Sequence, residues 1–293
     1  MPARALEVLT AAPVPFDTDG TLRMDVFTAM LTRVSRHTQG AFVNGTTAEF
    51  PALDDGERAD LLEAAVAVVG ADNVVAHVGA PSLRQVLRHA DAAAALGVRR
   101  MASLTPYYLP CDFAQTHQFF EAIAGRFPGI DLFVYLFPER SGIDVSPEEL
   151  GQLTSIDGIA GAKLSGRPSD QFARYVRLAA PGSRIYSGDD GSYPTVANAG
   201  GSGVVSGVSA AFPELFGELT KALTAATRDA AAVEAVQARV TAVVAAAGPN
   251  ITLLKYALSR RYDEVWAARM PLPTLEDASK KVIDALVSSV PAS

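Results

Sequence analysis

The sequence predicts an α/β fold: a (β/α)8 TIM barrel over residues 1–220, with residues 221–293 as a C-terminal helical extension packed on the barrel. Three observations lead there. Short apolar runs rich in Val and Ile, each ending at Gly, Pro, Ser or Thr, recur at residues 6–12, 41–44, 74–78, 100–104, 132–136, 159–163, 184–187 and 203–206. Segments of helical periodicity lie between them, so the chain repeats a strand–helix unit of roughly 30 residues. From about Lys221 strand signals stop while helical patterning goes on. Parallel strands need crossover connections, and eight of them favour a closed barrel, which takes about 250 residues.

Each element has its own signal. The strand runs alternate little, as strands covered on both faces do. Phe27, Met30, Leu31 and Val34 are spaced i, i+3, i+4, i+7, and so are Leu62, Ala65, Val66 and Val69; that is one face of a helix. Ser82 with Gln85 reads as a capping box ahead of Leu83, Val86 and Leu87, and Gly97 follows the last turn. Ser146-Pro147-Glu148-Glu149 supplies an N-cap, a first-turn proline and two acidic residues. In the extension, helical patterning runs through Arg239 and Val244 and breaks at Gly248-Pro249-Asn250. It resumes over residues 253–262 and 275–287, with Pro271 and Pro273 between. Tyr262 and Trp266, four apart, fall on a late helix as core or interface groups.

Composition removes several function classes. A net charge of −7 and a pI near 5.2 oppose a nucleic-acid binder, which needs a concentrated basic face. Cys111 is the one cysteine, so no intrachain disulfide forms, as suits a reducing cytoplasm. Glu7 interrupts the N-terminal apolar run, which makes a poor signal peptide. Arg228, Asp229, Glu234 and Arg239 interrupt the alanine-rich stretch 222–247, so that stretch holds no uncharged run near the roughly 18 residues of a membrane helix. The expectation is a cytoplasmic enzyme that binds neither nucleic acid nor membrane.

Lys163 stands out. It is the only lysine before Lys221, at the end of an apolar run bounded by Gly158, Gly161 and Gly166. Burial disfavours the charged form of a lysine, and a neutral amine can attack a carbonyl to form a Schiff base. The alternative is a strand-end lysine reaching solvent or paired with a carboxylate. Barrel enzymes gather reactive groups at the C-terminal ends of the strands. Those ends carry Thr46 and Thr47, Tyr107 and Tyr108, Tyr135 with Arg140, Lys163, and Asp189-Asp190. An amine nucleophile, phenols able to move protons, hydroxyls for a carboxylate and a guanidinium suit Schiff-base chemistry on a 2-oxo acid.

The same positions carry a family resemblance. Gly45-Thr46-Thr47-Ala48-Glu49 resembles a GTTGE motif, Tyr107-Tyr108 a PYY, and Tyr135 with Pro138 a YNxP. Gly161-Ala162-Lys163 resembles the GxK of a Schiff-base lysine, and Ser187-Gly188-Asp189-Asp190 an SGDD. Five motifs, collinear from Ala12 to Gly207, are similar to the dihydrodipicolinate synthase / N-acetylneuraminate lyase family of class I aldolases. The resemblance implies that Lys163 forms the imine with pyruvate or a related 2-oxo acid. Tyr135 would be the acid/base, and Thr46 would relay protons between it and Tyr108 of a neighbouring subunit. Thr46 and Thr47 would bind the 2-oxo acid's carboxylate, Val205 would lend a backbone carbonyl, and Arg140 would hold a second carboxylate. The implied partners are pyruvate and an aldehyde, the implied assembly a homodimer or homotetramer. No metal or organic cofactor is implied, since the protonated imine is the electron sink.

The departures concern the second substrate. Ala48 replaces the usual glycine, Leu136 replaces an asparagine and removes an amide from the pocket wall, and Phe50 and Phe137 make the mouth more apolar. Dihydrodipicolinate-synthase-like condensation therefore competes with aldol cleavage or dehydration of a 2-keto-3-deoxy sugar acid or a 4-hydroxy-2-oxo acid. A reading from another class is a barrel that binds a 2-oxo acid without turning it over. Gly200-Gly201-Ser202-Gly203 precedes a strand, so it lacks the context of a dinucleotide loop. His37, His77, His89 and His117 with Cys111 show no metal-ligand spacing. His77 is expected to be a hydrogen-bonded core group, and Asp189-Asp190 a turn cap.

Overall fold

A computed structural model of the chain describes residues 6–248 and 250–290. Eight strands, β1 (Glu7–Ala11), β2 (Gly40–Val43), β3 (Val74–His77), β4 (Arg100–Leu104), β5 (Asp131–Leu136), β6 (Ile159–Leu164), β7 (Arg184–Ser187) and β8 (Gly203–Ser206), form a closed barrel in sequence order. β1 pairs with β2, and β3 to β8 pair in succession, in parallel. This is the predicted (β/α)8 barrel, and every predicted strand lies within one residue of an observed one. A C-terminal helical region follows: Pro213–Thr224, Ala230–Ala247, Ile251–Tyr262 and Asp277–Ser289.

The chain divides into two compact units. One is Gly70–Val205, with β3 to β8 and their connecting helices. The other comprises Glu7–Val69 and the chain from Ser206 onward, with β1, β2 and the late helices. In both, strand residues are buried almost without exception, which is why the runs read as apolar instead of alternating.

Helix phases follow the sequence with small shifts. Met24–Val34 buries Val26, Phe27, Met30, Leu31 and Val34, as its spacing requires. Asp55–Val69 buries Leu61, Leu62 and Ala65, while Val66 and Val69 are only half-buried. Ser146 and Glu149 make the complete reciprocal cap at Pro147–Leu153. Ser82 is half a capping box: its Oγ accepts from the Gln85 N–H but donates to Gln85 Oε1, so the Gln85 side chain turns to the hydroxyl. The expected break at residues 248–250 precedes Ile251–Tyr262, where Asn250 caps the Leu253 N–H at 2.9 Å; Pro249 lies outside the described residues. Trp266 is not on a helix. Ile251–Tyr262 ends where Asp263 turns left-handed at φ 54°, and Trp266 sits buried in the irregular segment beyond. Ala230–Ala247 is long and apolar enough to cross a membrane by length and composition, with a mean hydropathy of 1.4. It carries Glu234 and Arg239, buries Val233, Val240, Val243 and Ala247, and pairs Arg239 with Glu218.

Candidate active site

Lys163 owes its position to an irregularity in β6. Leu132 of β5 pairs with Ile159, but the next residue, Phe133, pairs with Gly161, so Ala160 is an extra residue on β6. Without this bulge, counting on from Leu132↔Ile159 would set Lys163 beside Leu136. With it, Lys163 pairs with Tyr135. Since successive side chains project to opposite faces, the extra residue decides which face the lysine takes. Gly161 makes the bulge practicable. Its φ is 151°, and a Cβ there would lie 1.9 Å from the Arg184 carbonyl oxygen. The small residue two before the lysine is therefore a backbone requirement.

The result is an amine over a phenol. Lys163 is 6% exposed and Tyr135 1%, and the lysine Nζ lies 4.0 Å from the centroid of the Tyr135 ring. His77 meets that ring edge-on at 5.8 Å, and Phe137 lies tilted against it at 6.2 Å. His77 Nε2 accepts the Leu104 N–H at 3.3 Å, so the imidazole is the hydrogen-bonded core group expected from sequence. Gly79 permits this, because a Cβ there would come within 2.5 Å of Nε2. Tyr135's carbonyl accepts the Thr105 N–H at 3.1 Å, anchoring the end of β5 to the chain leaving β4.

The other predicted groups of this unit are spread along the strand exits. Arg140 lies on the short helix Pro138–Ser141, exposed, with its guanidinium 5.3 Å over the Phe137 ring. Tyr135, Phe137 and Arg140 thus form a continuous stack. Tyr107 is half-buried, whereas Tyr108 is 89% exposed at φ 80° beside Leu109 at 71%. Val205 is buried in β8. Asp189 caps its turn by accepting the Gly191 N–H, as expected. Leu136 corrects one expectation. It follows Tyr135 on the strand, so its side chain projects from the opposite face and is buried. Its exchange bears on packing of β5, not on a pocket wall.

The second unit holds Thr46 and Thr47 on a single 3-10 turn, Thr46–Ala48, directly after β2. Both are half-buried. Thr47 packs beside Gly207, its Cγ2 and Oγ1 within 3.6 Å of where a Cβ on that glycine would sit. Glu49 ends the turn left-handed at φ 54° and fully buried. Lys255 Nζ donates to Glu49 Oε1 at 2.5 Å, and Arg269 pairs with Glu57 through two bonds of 2.7 and 2.6 Å. Burial lowers the Lys255 pKa, against the opposing pull of Glu49. Hydrogen bonding from Arg269 holds the Glu57 carboxyl below its ordinary value.

Three features escaped the sequence reading: the bulge behind Lys163, the His77–Tyr135 contact and the burial of Glu49. Only the bulge left a trace, as a glycine inside a strand pattern. Among the described residues no group of three or more His, Cys, Asp or Glu is placed to hold a metal ion.

Known proteins are similar to this chain along most of its length. The model of the dihydrodipicolinate synthetase family matches residues 4–290. An uncharacterised DapA-like lyase of Halobacterium salinarum is 34% identical over 275 residues, 92% of this chain and 89% of the relative. A 4-hydroxy-tetrahydrodipicolinate synthase of Synechococcus is 30% identical over 278 residues, 94% and 90% of the two chains. Among solved structures, a monomeric dihydrodipicolinate synthase variant aligns at a TM-score of 0.89 and 25% identity over 97% of each chain. The Escherichia coli prophage protein YagE, solved with pyruvate, shares the fold at a TM-score of 0.88 and 20% identity, over 97% of this chain and 98% of its own.

Proposed function

Since this chain belongs to the dihydrodipicolinate synthetase family, a family of lyases and aldolases, we propose that it forms a Schiff base between Lys163 and pyruvate or a related 2-oxo acid. The resulting enamine then condenses with an aldehyde in the manner of a 4-hydroxy-tetrahydrodipicolinate synthase. The observation that carries this reading is the buried Lys163 amine 4.0 Å over the Tyr135 ring on the neighbouring strand.

In this reading Lys163 attacks the ketone, water leaves, and the iminium withdraws electrons as a C3 proton is lost. Tyr135 moves protons on and off the reacting atoms, with Thr46 relaying them to Tyr108 of a second copy. Thr46 and Thr47 receive the carboxylate through hydroxyls and backbone amides, donors held on one rigid turn. Val205 contributes its carbonyl near the bound acid. Arg140, held over Phe137, offers a planar fork to a carboxylate on the second substrate. The exposed Tyr108–Leu109 step, at a left-handed φ, supports a contact with another copy in a homodimer or homotetramer.

Borohydride reduction in the presence of pyruvate is expected to attach one pyruvate-derived group to the peptide containing Lys163. Absence of that adduct on folded protein would remove the reading. An adduct without turnover on any aldehyde or keto acid would make the protein a 2-oxo acid binder. A second reading within the family, cleavage or dehydration of a 2-keto-3-deoxy sugar acid or 4-hydroxy-2-oxo acid, is favoured by the Phe137 ring seated against both Tyr135 and Arg140. Condensation of pyruvate with aspartate semialdehyde, assayed against pyruvate release from a keto-acid panel, separates the two.

A further inference from the structure

Glu49 closes the Gly45-Thr46-Thr47-Ala48-Glu49 stretch, yet the imine chemistry proposed above gives it no part. It has the surroundings of a fastening point. Its carboxylate is fully buried: Oε1 accepts from Lys255 Nζ at 2.5 Å, and Oε2 accepts two backbone N–H groups, Arg269 at 3.0 Å and Met270 at 2.7 Å. These partners lie more than 200 residues along the chain, Lys255 on the helix Ile251–Tyr262 and Arg269 and Met270 in the helix-free segment after it. That segment is itself tied down. Lys255 Nζ also donates to the Ala267 carbonyl at 2.7 Å, and the Ala267 N–H donates to the Phe16 carbonyl at 2.9 Å. Arg269 donates to the carbonyls of Gly20 and Ala52 and to Glu57. Both cations lie over the Phe16 ring, at 4.6 and 4.3 Å.

The turn bearing the two threonines is short and rigid. The Glu49 N–H donates to the Thr46 carbonyl at 3.0 Å, and the Ala48 N–H to the Gly45 carbonyl at 3.0 Å. A non-glycine residue at φ 54° is disfavoured in isolation and persists where its surroundings over-determine it. Here the surroundings are the three bonds to the buried carboxylate. A twist of Glu49 would be passed straight to the amides and hydroxyls of Thr46 and Thr47.

We infer that Glu49 is a positioning residue for the 2-oxo acid: through it, the 264–270 segment of the C-terminal region sets the orientation of the Thr46–Thr47 carboxylate receptor. The inference rests on the functional reading above. A buried ion pair adds little net stability over an apolar substitute, while breaking one side of it is costly. Its use in this chain is geometric, since one carboxylate fixes an ammonium and two main-chain donors at once.

That separation between stability and geometry provides the test. Glu49→Gln combined with Lys255→Met removes both buried charges together and is expected to melt close to the parent. Its KM for pyruvate should rise at least about tenfold while kcat stays within about threefold, and saturating pyruvate with borohydride should still label Lys163 fully. Arg269→Gln, at a side chain only 22% exposed, keeps the three bonds to the Glu49 carboxylate but removes the segment's side-chain ties to Gly20, Ala52 and Glu57. It should raise the same KM about threefold or more, and it decides the question if the double variant does not fold. A parental KM in either folded variant, or a fall in melting temperature alone, overturns the inference. A parent protein that fails to trap pyruvate removes the functional reading and this inference together, whereas a trapping parent with unshifted variants removes the inference only.

Discussion

The two compact units hold their key groups by different means. In the Gly70–Val205 unit, Lys163 and Tyr135 are placed by the backbone: one extra residue in β6 and a glycine that lets Arg184's carbonyl approach. The side chains around them, His77 and Phe137, make ring contacts. In the other unit, the Thr46–Ala48 turn is placed by a buried charge, the Glu49 carboxylate, held by the Lys255 ammonium and the main-chain N–H groups of Arg269 and Met270. A backbone device tolerates no added methyl group and ignores pH. A charge device tolerates changes of shape, provided its charges remain balanced, and responds to protonation.

That contrast can be broken or sharpened experimentally. Lys163→Ala should lose borohydride labelling and slow turnover by about 10⁴-fold or more, with the fold retained; steady-state rates and mass spectrometry of the trapped protein check it. Gly161→Ala forces β6 to move, so it should cost about 3 kcal/mol of stability and about 10³-fold in rate as Lys163 leaves Tyr135. Denaturant titration beside the trapping assay measures both, and an unaltered rate would show that the bulge does not aim the lysine. Tyr135→Phe should still form the imine while turnover drops about 10³-fold, read by comparing trapping with kcat.

In the charged unit the effects are smaller. Lys255→Met alone strands the buried Glu49 carboxylate and should cost about 3 kcal/mol in urea unfolding. Glu57→Gln is the mildest. The folded-state pKa of Glu57 lies below its ordinary 4.5 because Arg269 hydrogen-bonds it. Its stabilising share is therefore present above about pH 4.5 and is lost as the pH falls through the folded value. With both side chains about a fifth exposed, the parent should exceed Glu57→Gln by about 1 kcal/mol or less at neutral pH. The gap should close in acid, and a gap constant between about pH 3 and pH 6 would show that the ion pair is not its source.

Strand positions, helix phases and the placing of Lys163 and Tyr135 on neighbouring strands were legible in the sequence because each depends on local facts. A strand covered on both faces has to be apolar along its length, and a helix at Met24–Val34 has to repeat its apolar residues every three or four positions. Leu136 shows the limit: adjacency to Tyr135 suggested a shared pocket, but alternation of side chains turns it to the other face. Trp266 shows another, because a spacing of four implied a helix that the left-handed turn at Asp263 had already ended.

What the sequence alone determined is the kind of fold and the inventory of chemistry at the strand ends, since hydrophobic periodicity and side-chain type are properties of short stretches. Only the tertiary structure decided which face Lys163 takes and what fastens the threonine turn. Strand register is settled between chains of hydrogen bonds, and the partners of Glu49 lie 206 and 220 residues away. A buried carboxylate finds its cation through the closure of the whole fold, and no local pattern encodes that meeting.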